Sequence, residues 1–185
     1  MQQYKIIFSG SVGAGKSTAI KVISDIEVVA TEARASDHIQ KMKESTTVAM
    51  DYGRINLDAE TTVHLYGTPG QERFSFMWEI LAQGALGLVL LIDCSATAIK
   101  TDINRYLAAF KDFIKENAVV IGLTRSDLST GIDWEMIYDT LAENDISAPV
   151  FEVDARNKTD INMLVEALVL SIDPTIDSTI NPVVT

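Results

Sequence analysis

Short apolar segments alternate along the chain with segments in which apolar residues recur at helical spacing. The run over residues 85–93 is almost continuous and ends abruptly at Asp93, which is typical of a strand buried on both faces of a sheet. Three further apolar segments predict strands over residues 4–9, 118–123 and 150–153. The helical spacing predicts helices over residues 16–24, 72–83, 101–115, 133–143 and 159–171, with Asp133 as an N-cap.

Two neighbouring segments, residues 47–56 and 61–66, flank a polar turn at residues 58–60 and predict an antiparallel hairpin. Residues 25–45 have an irregular pattern that predicts a weakly packed region with a short helix over residues 32–42 at most. The alternation of strands and helices predicts an α/β fold with a doubly wound, six-stranded, mostly parallel sheet, in which only the hairpin breaks the parallel run. We expect residues 1–172 to form one domain and residues 173–185 a flexible tail.

Composition excludes several classes of protein. The 185-residue chain is 47% hydrophobic and carries a net charge of −11, which argues against nucleic acid as its main partner. Cys94 is the single cysteine and there are two histidines, so neither a disulfide framework nor a zinc site is expected. No apolar run is long enough to span a bilayer, and the termini carry no signal-peptide or lipidation motif. We therefore expect a cytoplasmic protein without a membrane anchor of its own, which partners can recruit to the membrane or cell pole.

The segment from Gly10 to Ser17 fits the pattern of glycine, any four residues, glycine, lysine, and serine or threonine. In such a loop the backbone N–H groups surround phosphate oxygens, the lysine places positive charge near the outer phosphates, and the serine hydroxyl is a Mg²⁺ ligand. The predicted strand before it and helix after it make a chance match improbable, and they identify the fold as that of a P-loop NTPase. The candidate phosphate-binding residues are Gly10, Val12, Gly13, Ala14, Gly15, Lys16, Ser17 and Thr18.

Other candidate residues lie in loops that the fold brings to the same edge of the sheet, at the carboxyl ends of the strands. Thr47 can reach Mg²⁺ with its hydroxyl and the outer phosphate with its N–H, although it can equally be an ordinary β-branched strand residue. Gly70 can offer its N–H to a terminal phosphate, and Gln71 can orient an attacking water molecule. The alternative for residues 67–74 is a plain turn.

A second set of candidates can recognise the base. Asp127 follows the predicted strand 118–123 and can accept two hydrogen bonds from the N1 and N2 edge of guanine, although an aspartate there is also a common turn residue. Arg125 can cover the plane of the base with its aliphatic part. Ala155 and Arg156 follow the last strand and can present backbone N–H groups to the base oxygen.

These motifs together resemble a Ras-like small GTPase from Tyr4 to about Ile172. Residues 47–53, Thr-Val-Ala-Met-Asp-Tyr-Gly, are similar to the effector-loop strand of Rab-type proteins, and residues 70–74, Gly-Gln-Glu-Arg-Phe, match their second switch. Residues 47–53, together with residues 66–71, Tyr-Gly-Thr-Pro-Gly-Gln, are similar to the bacterial branch, which contains the gliding-polarity GTPase and the conservon GTPases.

The resemblance implies GTP or GDP and Mg²⁺ as ligands, slow GTP hydrolysis and a switch cycle. It implies Lys16 and Gln71 as catalytic residues, Ser17 and Thr47 as metal ligands, and Thr124 as part of the base-binding loop. Its implied partners are protein effectors and regulators, such as small roadblock-type proteins.

The sequence departs from the resemblance at two positions that bear on function. Gly67 stands where the family has an aspartate linked to Mg²⁺, and Thr124 stands where it has an asparagine that ties loops together. The departures leave open a nucleotide-binding scaffold without hydrolysis, and a P-loop kinase or ATPase is a third possibility. A cluster of Phe74, Phe76, Met77 and Trp78 is either a docking face or part of the core.

Overall fold

The computed structural model describes residues 2–33 and 48–172. The strands in these two ranges are β1 (Gln2–Ser9), β2 (Val29–Ala33), β3 (Val48–Asn56), β4 (Thr61–Gly67), β5 (Gly87–Asp93), β6 (Ala118–Thr124) and β7 (Val150–Glu152). The helices are α1 (Lys16–Ile23), α2 (Phe76–Ala82), α3 (Ile99–Ala109), α4 (Lys111–Glu116), α5 (Trp134–Glu143) and α6 (Lys158–Ile172). Short 3₁₀ turns cover Glu72–Phe74 and Ser126–Leu128.

The strands form one sheet in the order β2-β3-β4-β1-β5-β6-β7. β1 is parallel to both β4 and β5, and the parallel run continues through β6 to β7. β3 pairs antiparallel with β2 and β4, so it alone runs against the other described strands. The predicted doubly wound, mostly parallel sheet with one antiparallel hairpin strand is therefore confirmed.

A seventh strand, β2, extends the predicted six at the edge beside β3. The short helix suggested over residues 32–42 is wrong at its start, because Glu32 and Ala33 pair with Ala49 and Val48 of β3. Main-chain hydrogen bonds to a neighbouring strand define β2, and they leave no periodic signal in the sequence. The rest of that predicted helix, and the tail after residue 172, lie outside the described residues.

Two apolar layers cover the two faces of the sheet, and β5 lies fully buried between them. Leu88, Leu90 and Ile92 of β5 pack into the layer formed with α2, α3 and α5. Val89 and Leu91 point into the layer formed with α1 and α6. This alternation explains why residues 85–93 form an uninterrupted apolar run: both faces of the strand are inside.

One predicted helix is divided in the structure. The segment 101–115 forms α3 and α4, which meet at Phe110, whose backbone leaves helical geometry at φ −101° and ψ 14°. Phe110 is buried and stacks on Trp78 at 6.0 Å between ring centroids, so core packing accompanies the break. The predicted N-cap at Asp133 is confirmed, because its Oδ1 accepts a hydrogen bond from Met136 N at 2.9 Å. Among the described helices, none has the length and apolar composition needed to cross a membrane.

Candidate functional site

A cleft of about 790 Å³ opens at the carboxyl ends of β1, β6 and β7. Its walls are the glycine-rich loop between β1 and α1, the 3₁₀ turn after β6 and the loop after β7. The structure therefore brings the glycine-rich loop together with two segments that lie more than 100 positions further along the chain. The predicted site residues that line it are Gly13, Ala14, Gly15, Lys16, Ser17, Thr18, Thr124, Arg125, Asp127, Ala155 and Arg156.

The glycine-rich loop adopts backbone conformations that other residues rarely reach. Gly10, Gly13 and Gly15 have φ values of +141°, +85° and +97°. A Cβ atom on Gly10 would lie 2.1 Å from the carbonyl oxygen of Leu91, so the start of the loop packs directly against β5. The glycines of the motif are therefore required by local geometry, independently of any ligand.

Lys16 lies buried at the base of this loop, with 7% of its surface exposed. Its Nζ donates hydrogen bonds to the carbonyl oxygens of Gly10 at 2.8 Å and Ser11 at 2.7 Å. Burial lowers the pKa of Lys16 to about 8, and the nearby carboxylate of Asp51 partly opposes this effect. A bound phosphate would favour the charged amine, so the position suits an anion.

A hydroxyl and a carboxylate meet beside the loop. Ser17 Oγ donates a hydrogen bond of 2.5 Å to Oδ2 of Asp51, a residue of β3. Both groups are hard oxygen donors of the kind that Mg²⁺ prefers, and a nucleotide-bound Mg²⁺ needs few protein ligands because phosphate and water complete its shell. Residues 2–33 and 48–172 contain no cluster of three or more acidic, histidine or cysteine side chains that could hold a metal alone. Thr47, the other predicted ligand, lies outside the described residues.

Gly70 lies against the glycine-rich loop. A Cβ atom at this position would come within 2.7 Å of Val12 N and 2.8 Å of Lys16 Nζ, so only glycine fits without displacing them. Gln71 follows with its side chain exposed, and its Oε1 accepts a hydrogen bond of 2.8 Å from Arg73 Nε. The Arg73 guanidinium lies 4.6 Å from the ring centroid of Phe74. The second predicted switch is thus in contact with the phosphate loop through Gly70.

Thr124 links the loop after β6 to the glycine-rich loop between β1 and α1. Its buried Oγ1 lies 3.0 Å from the carbonyl oxygen of Ala14 and 3.2 Å from that of Ile92, and its one proton is shared between these two acceptors. The threonine hydroxyl therefore supplies a donor that links the base-binding loop to the phosphate loop, although the resemblance led us to expect an asparagine at this position.

Arg125 spans the distance between the base-binding loop and the phosphate loop. Its backbone is left-handed at φ 56°, and its Nη1 contacts Oδ2 of Asp93 at 3.2 Å. The same Nη1 lies 3.8 Å from the position of a Cβ on Gly13. Sequence analysis did not assign a role to Asp93, although its place at the polar end of β5 is a signal for this edge of the sheet.

The loop after β7 is held by its own hydrogen bonds. Asp154 accepts a bidentate contact from Arg156, with Nε–Oδ1 at 2.8 Å and Nη2–Oδ2 at 2.7 Å, and these bonds lower the pKa of Asp154 to about 2. Asp154 N donates to Asp160 Oδ2 at 2.8 Å. A Cβ on Gly15 would lie 2.7 Å from Cβ of Ala155, which places this loop directly on the phosphate loop.

The aromatic cluster at α2 divides between core and surface. Trp78 is 1% exposed, stacks on Tyr106 at 4.8 Å and donates from Nε1 to the carbonyl oxygen of Pro69 at 2.8 Å. Phe74 is also buried, whereas Phe76 is 47% exposed. Only Phe76 of these three aromatic residues is therefore available for a docking face.

Comparison with known proteins gives the chain a family. The family described as "Conserved hypothetical ATP binding protein" matches residues 22–181. The chain belongs to this family. The matched region of this ATP-binding family member begins after the phosphate loop and includes both loops of the base side of the cleft.

Individual relatives extend the likeness to Ras-related proteins. An uncharacterized protein of Methanocaldococcus jannaschii is 30% identical over 101 residues, which are 54% of this chain and 57% of the relative. Rab-1D of Dictyostelium discoideum is 26% identical over 168 residues, or 85% of this chain and 74% of Rab-1D. SEC4 of Saccharomyces cerevisiae is 25% identical over 138 residues, or 72% of this chain and 63% of SEC4. The alignments cover less than two thirds of the Methanocaldococcus jannaschii protein and of SEC4. The similarity to Rab-1D and SEC4 shows that the chain is distantly homologous to Ras-related small GTPases.

Proposed function

We propose that the protein is a molecular switch that binds guanine nucleotide with Mg²⁺ in this cleft and hydrolyses GTP slowly to GDP and phosphate. The observation that carries the proposal is the hydrogen bond from Thr124 to the Ala14 carbonyl oxygen, since it fixes the base-binding loop to the phosphate loop. Lys16 and Asp127 both line this cleft.

The base side of the cleft favours guanine over adenine. Asp127 lines the cleft, and within the described residues its carboxylate has no hydrogen bond or ion pair. The guanidinium of Arg156 is hydrogen-bonded to Asp154, although the charge of Asp127 also acts on it. A free carboxylate can accept from the two N–H donors of guanine at N1 and N2, whereas adenine offers no such pair and would leave it unpaired.

The phosphate side fits a nucleotide bound with Mg²⁺. Ser17 and Thr47 are the hydroxyl ligands that we propose for the metal, and Lys16, Gly70 and the glycine-rich loop surround the phosphates. When bound, Mg²⁺ supplies neutralisation of the charge that develops on the phosphates. Lys16 adds a compact positive charge at the base of the loop, where its amine already contacts two carbonyl oxygens.

Gln71 is the residue that we propose to orient the attacking water molecule, because it follows directly the glycine that contacts the phosphate loop. Its side chain is bonded to Arg73 and exposed, so it must turn toward the cleft before hydrolysis. A requirement for this rearrangement predicts a slow intrinsic rate and a role for regulators. Effectors that read the switch, and roadblock-type regulators that help organise the site, are the partners we propose.

The family description makes an adenine nucleotide the second candidate ligand, because it names ATP. A third candidate is a nucleotide-binding scaffold without hydrolysis, which the glycine at position 67 favours. The free carboxylate of Asp127 is the feature that separates guanine from adenine, and the hydrolysis rate separates a switch from a scaffold.

The test is the identity of the nucleotide that accompanies the purified protein. Wild-type protein is denatured and the released nucleotide is identified by ion-exchange chromatography, with Asp127→Ala as the comparison. We expect GDP or GTP from the wild type and a large loss of guanine nucleotide from the variant. Adenine nucleotide in both preparations would overturn the assignment and favour the second candidate.

A further inference from the structure

The end of β4 lacks a carboxylate, and the neighbouring strand provides one. Gly67 is the last residue of β4, and in the antiparallel register of the hairpin it faces Asp51 of β3. A Cβ atom on Gly67 would lie 3.1 Å from both Cβ and Oδ2 of Asp51, and 3.0 Å from Cδ1 of Ile20. The space that a side chain at position 67 would enter is therefore already occupied by the carboxylate of Asp51.

Asp51 is directed at the phosphate loop. Its Oδ2 accepts the 2.5 Å hydrogen bond from Ser17 Oγ, although the two residues are 34 positions apart in the chain. It also lies near enough to Lys16 for its negative charge to favour the charged amine. The carboxylate thus lies between Gly67 at the end of β4 and the serine that the phosphate-loop motif assigns to Mg²⁺.

We propose that Asp51 supplies, from β3, the carboxylate of the Mg²⁺ site that position 67 on β4 does not provide. This inference rests on the proposed function, since it concerns the metal that accompanies the nucleotide. While Ser17 donates its proton to Asp51, the lone pairs of Oγ remain available to a cation. Asp51 therefore both orients the serine hydroxyl and adds a negative charge beside the metal.

A purely structural role makes a different prediction. If Asp51 only tethers β3 to the start of α1, an uncharged acceptor at the same place is sufficient. Asp51→Asn keeps the size of the side chain and one oxygen acceptor for Ser17 but removes the charge. It therefore separates the tether, which the variant preserves, from the attraction for a divalent cation, which it weakens.

The experiment measures how the release of GDP depends on Mg²⁺ in wild-type protein, in Asp51→Asn and in Glu60→Gln. Glu60 is an exposed carboxylate at the turn of the same hairpin and serves as the matched control. Release of a fluorescent GDP analogue is followed over a series of free Mg²⁺ concentrations, and Mn²⁺ binding is measured in parallel by electron paramagnetic resonance. We expect Asp51→Asn to need roughly 10–100-fold more Mg²⁺ to slow release, and Glu60→Gln to match the wild type.

A carboxylate exchange provides the second arm. The double variant Asp51→Ala with Gly67→Asp moves the carboxylate to β4, and we expect it to bind Mn²⁺ more tightly than Asp51→Ala alone. Equal Mg²⁺ dependence in wild type and Asp51→Asn, or no gain on exchange, would overturn the inference while GDP binding itself remained. Failure of the wild type to bind GDP at saturating Mg²⁺ would instead overturn the proposed function.

Discussion

At the scale of single residues, the site differs from the Ras-like resemblance at two positions, and at each of them another polar side chain lies close by. Thr124 is a shorter residue than the asparagine expected there, yet its hydroxyl reaches the carbonyl oxygen of Ala14 at 3.0 Å. Asp51 likewise occupies the space beside Gly67. In both cases another side chain places a polar group next to the position where the expected residue is absent.

The Thr124 hydroxyl can be tested with a pair of near-isosteric variants. Thr124→Val removes the donor from a buried position and leaves the Ala14 carbonyl oxygen without this partner, which typically costs about 1–3 kcal/mol. We expect the free energy of unfolding to fall by that amount and GDP affinity to weaken. Thr124→Ser keeps the hydroxyl and is expected to stay within about 1 kcal/mol of wild type. Denaturant unfolding of both variants is the measurement, and equal destabilisation by the two would contradict the assigned hydrogen bond.

At the scale of elements, the short helix α2 has side chains that pack into the core and others that are exposed. Trp78 is enclosed by Tyr106 and Phe110 of the α3 region, whereas Phe76 and Ile80 are 47% and 59% exposed. The helix begins directly after the 3₁₀ turn that contains Arg73 and Phe74. Its exposed apolar side chains therefore lie close in sequence to the candidate catalytic residue Gln71.

The two aromatic residues predict opposite results. Trp78→Ala empties a buried, hydrogen-bonded site and is expected to lower the free energy of unfolding by about 3–5 kcal/mol. Phe76→Ala changes an exposed position and is expected to shift stability by no more than about 0.5 kcal/mol while reducing capture of GTP-dependent partners. Thermal unfolding and pull-downs with GTP-locked protein give the two readouts. Undiminished capture by Phe76→Ala would remove the docking role.

The elements also show what a single sequence predicts and what it leaves out. The central strand β5 was predictable because both of its faces are buried, and the phosphate loop because its residue types are fixed by backbone geometry. The edge strand β2 was missed because hydrogen bonds to β3 define it without an apolar pattern. The break between α3 and α4 was missed because it is accompanied by the packing of Phe110 against Trp78, two residues far apart in sequence.

The role of Asp51 was only partly predictable from the sequence. The structure pairs residue 51 with residue 67 in a hairpin centred on Ala59, a register that could have been derived from the predicted turn at residues 58–60 but was not. The turn is fixed locally, because Asp58 Oδ1 accepts hydrogen bonds from Glu60 N at 2.7 Å and Thr61 N at 2.8 Å. The side-chain contact with Ser17 needed the structure, since it depends on how α1 packs beside β3.

At the scale of the whole molecule, the nucleotide-dependent switch that we propose needs partners to complete its catalytic groups. Gln71 is turned toward Arg73 in the structure. An arginine supplied at such sites typically contributes roughly 10³–10⁵ in rate. Among the arginines of residues 2–33 and 48–172, only Arg125 and Arg156 line the cleft, and both belong to the loops on its base side. The isolated protein is therefore expected to hydrolyse GTP slowly.

Single-turnover hydrolysis of GTP by the purified protein tests this expectation. We expect kcat well below about 1 s⁻¹ without a partner, because positioning of water and neutralisation of charge are both incomplete. Gln71→Leu should slow the reaction further and leave GDP affinity nearly unchanged, with Glu72→Gln as a control at the adjacent exposed position. An unaffected rate in Gln71→Leu would assign the water to another group.

The central claim, guanine recognition in the cleft between Lys16 and Asp127, is tested most directly by calorimetric titration of nucleotide-free protein. GTP, GDP and ATP are titrated in saturating Mg²⁺ against wild type and Asp127→Ala. Asp127 is exposed in the structure, and a bound base would cover it. Because an acceptor left unpaired under the base would cost about 1–3 kcal/mol, we expect wild type to prefer guanine nucleotides roughly tenfold or more and Asp127→Ala to lose the preference. Equal affinity for ATP and GTP in the wild type would contradict it.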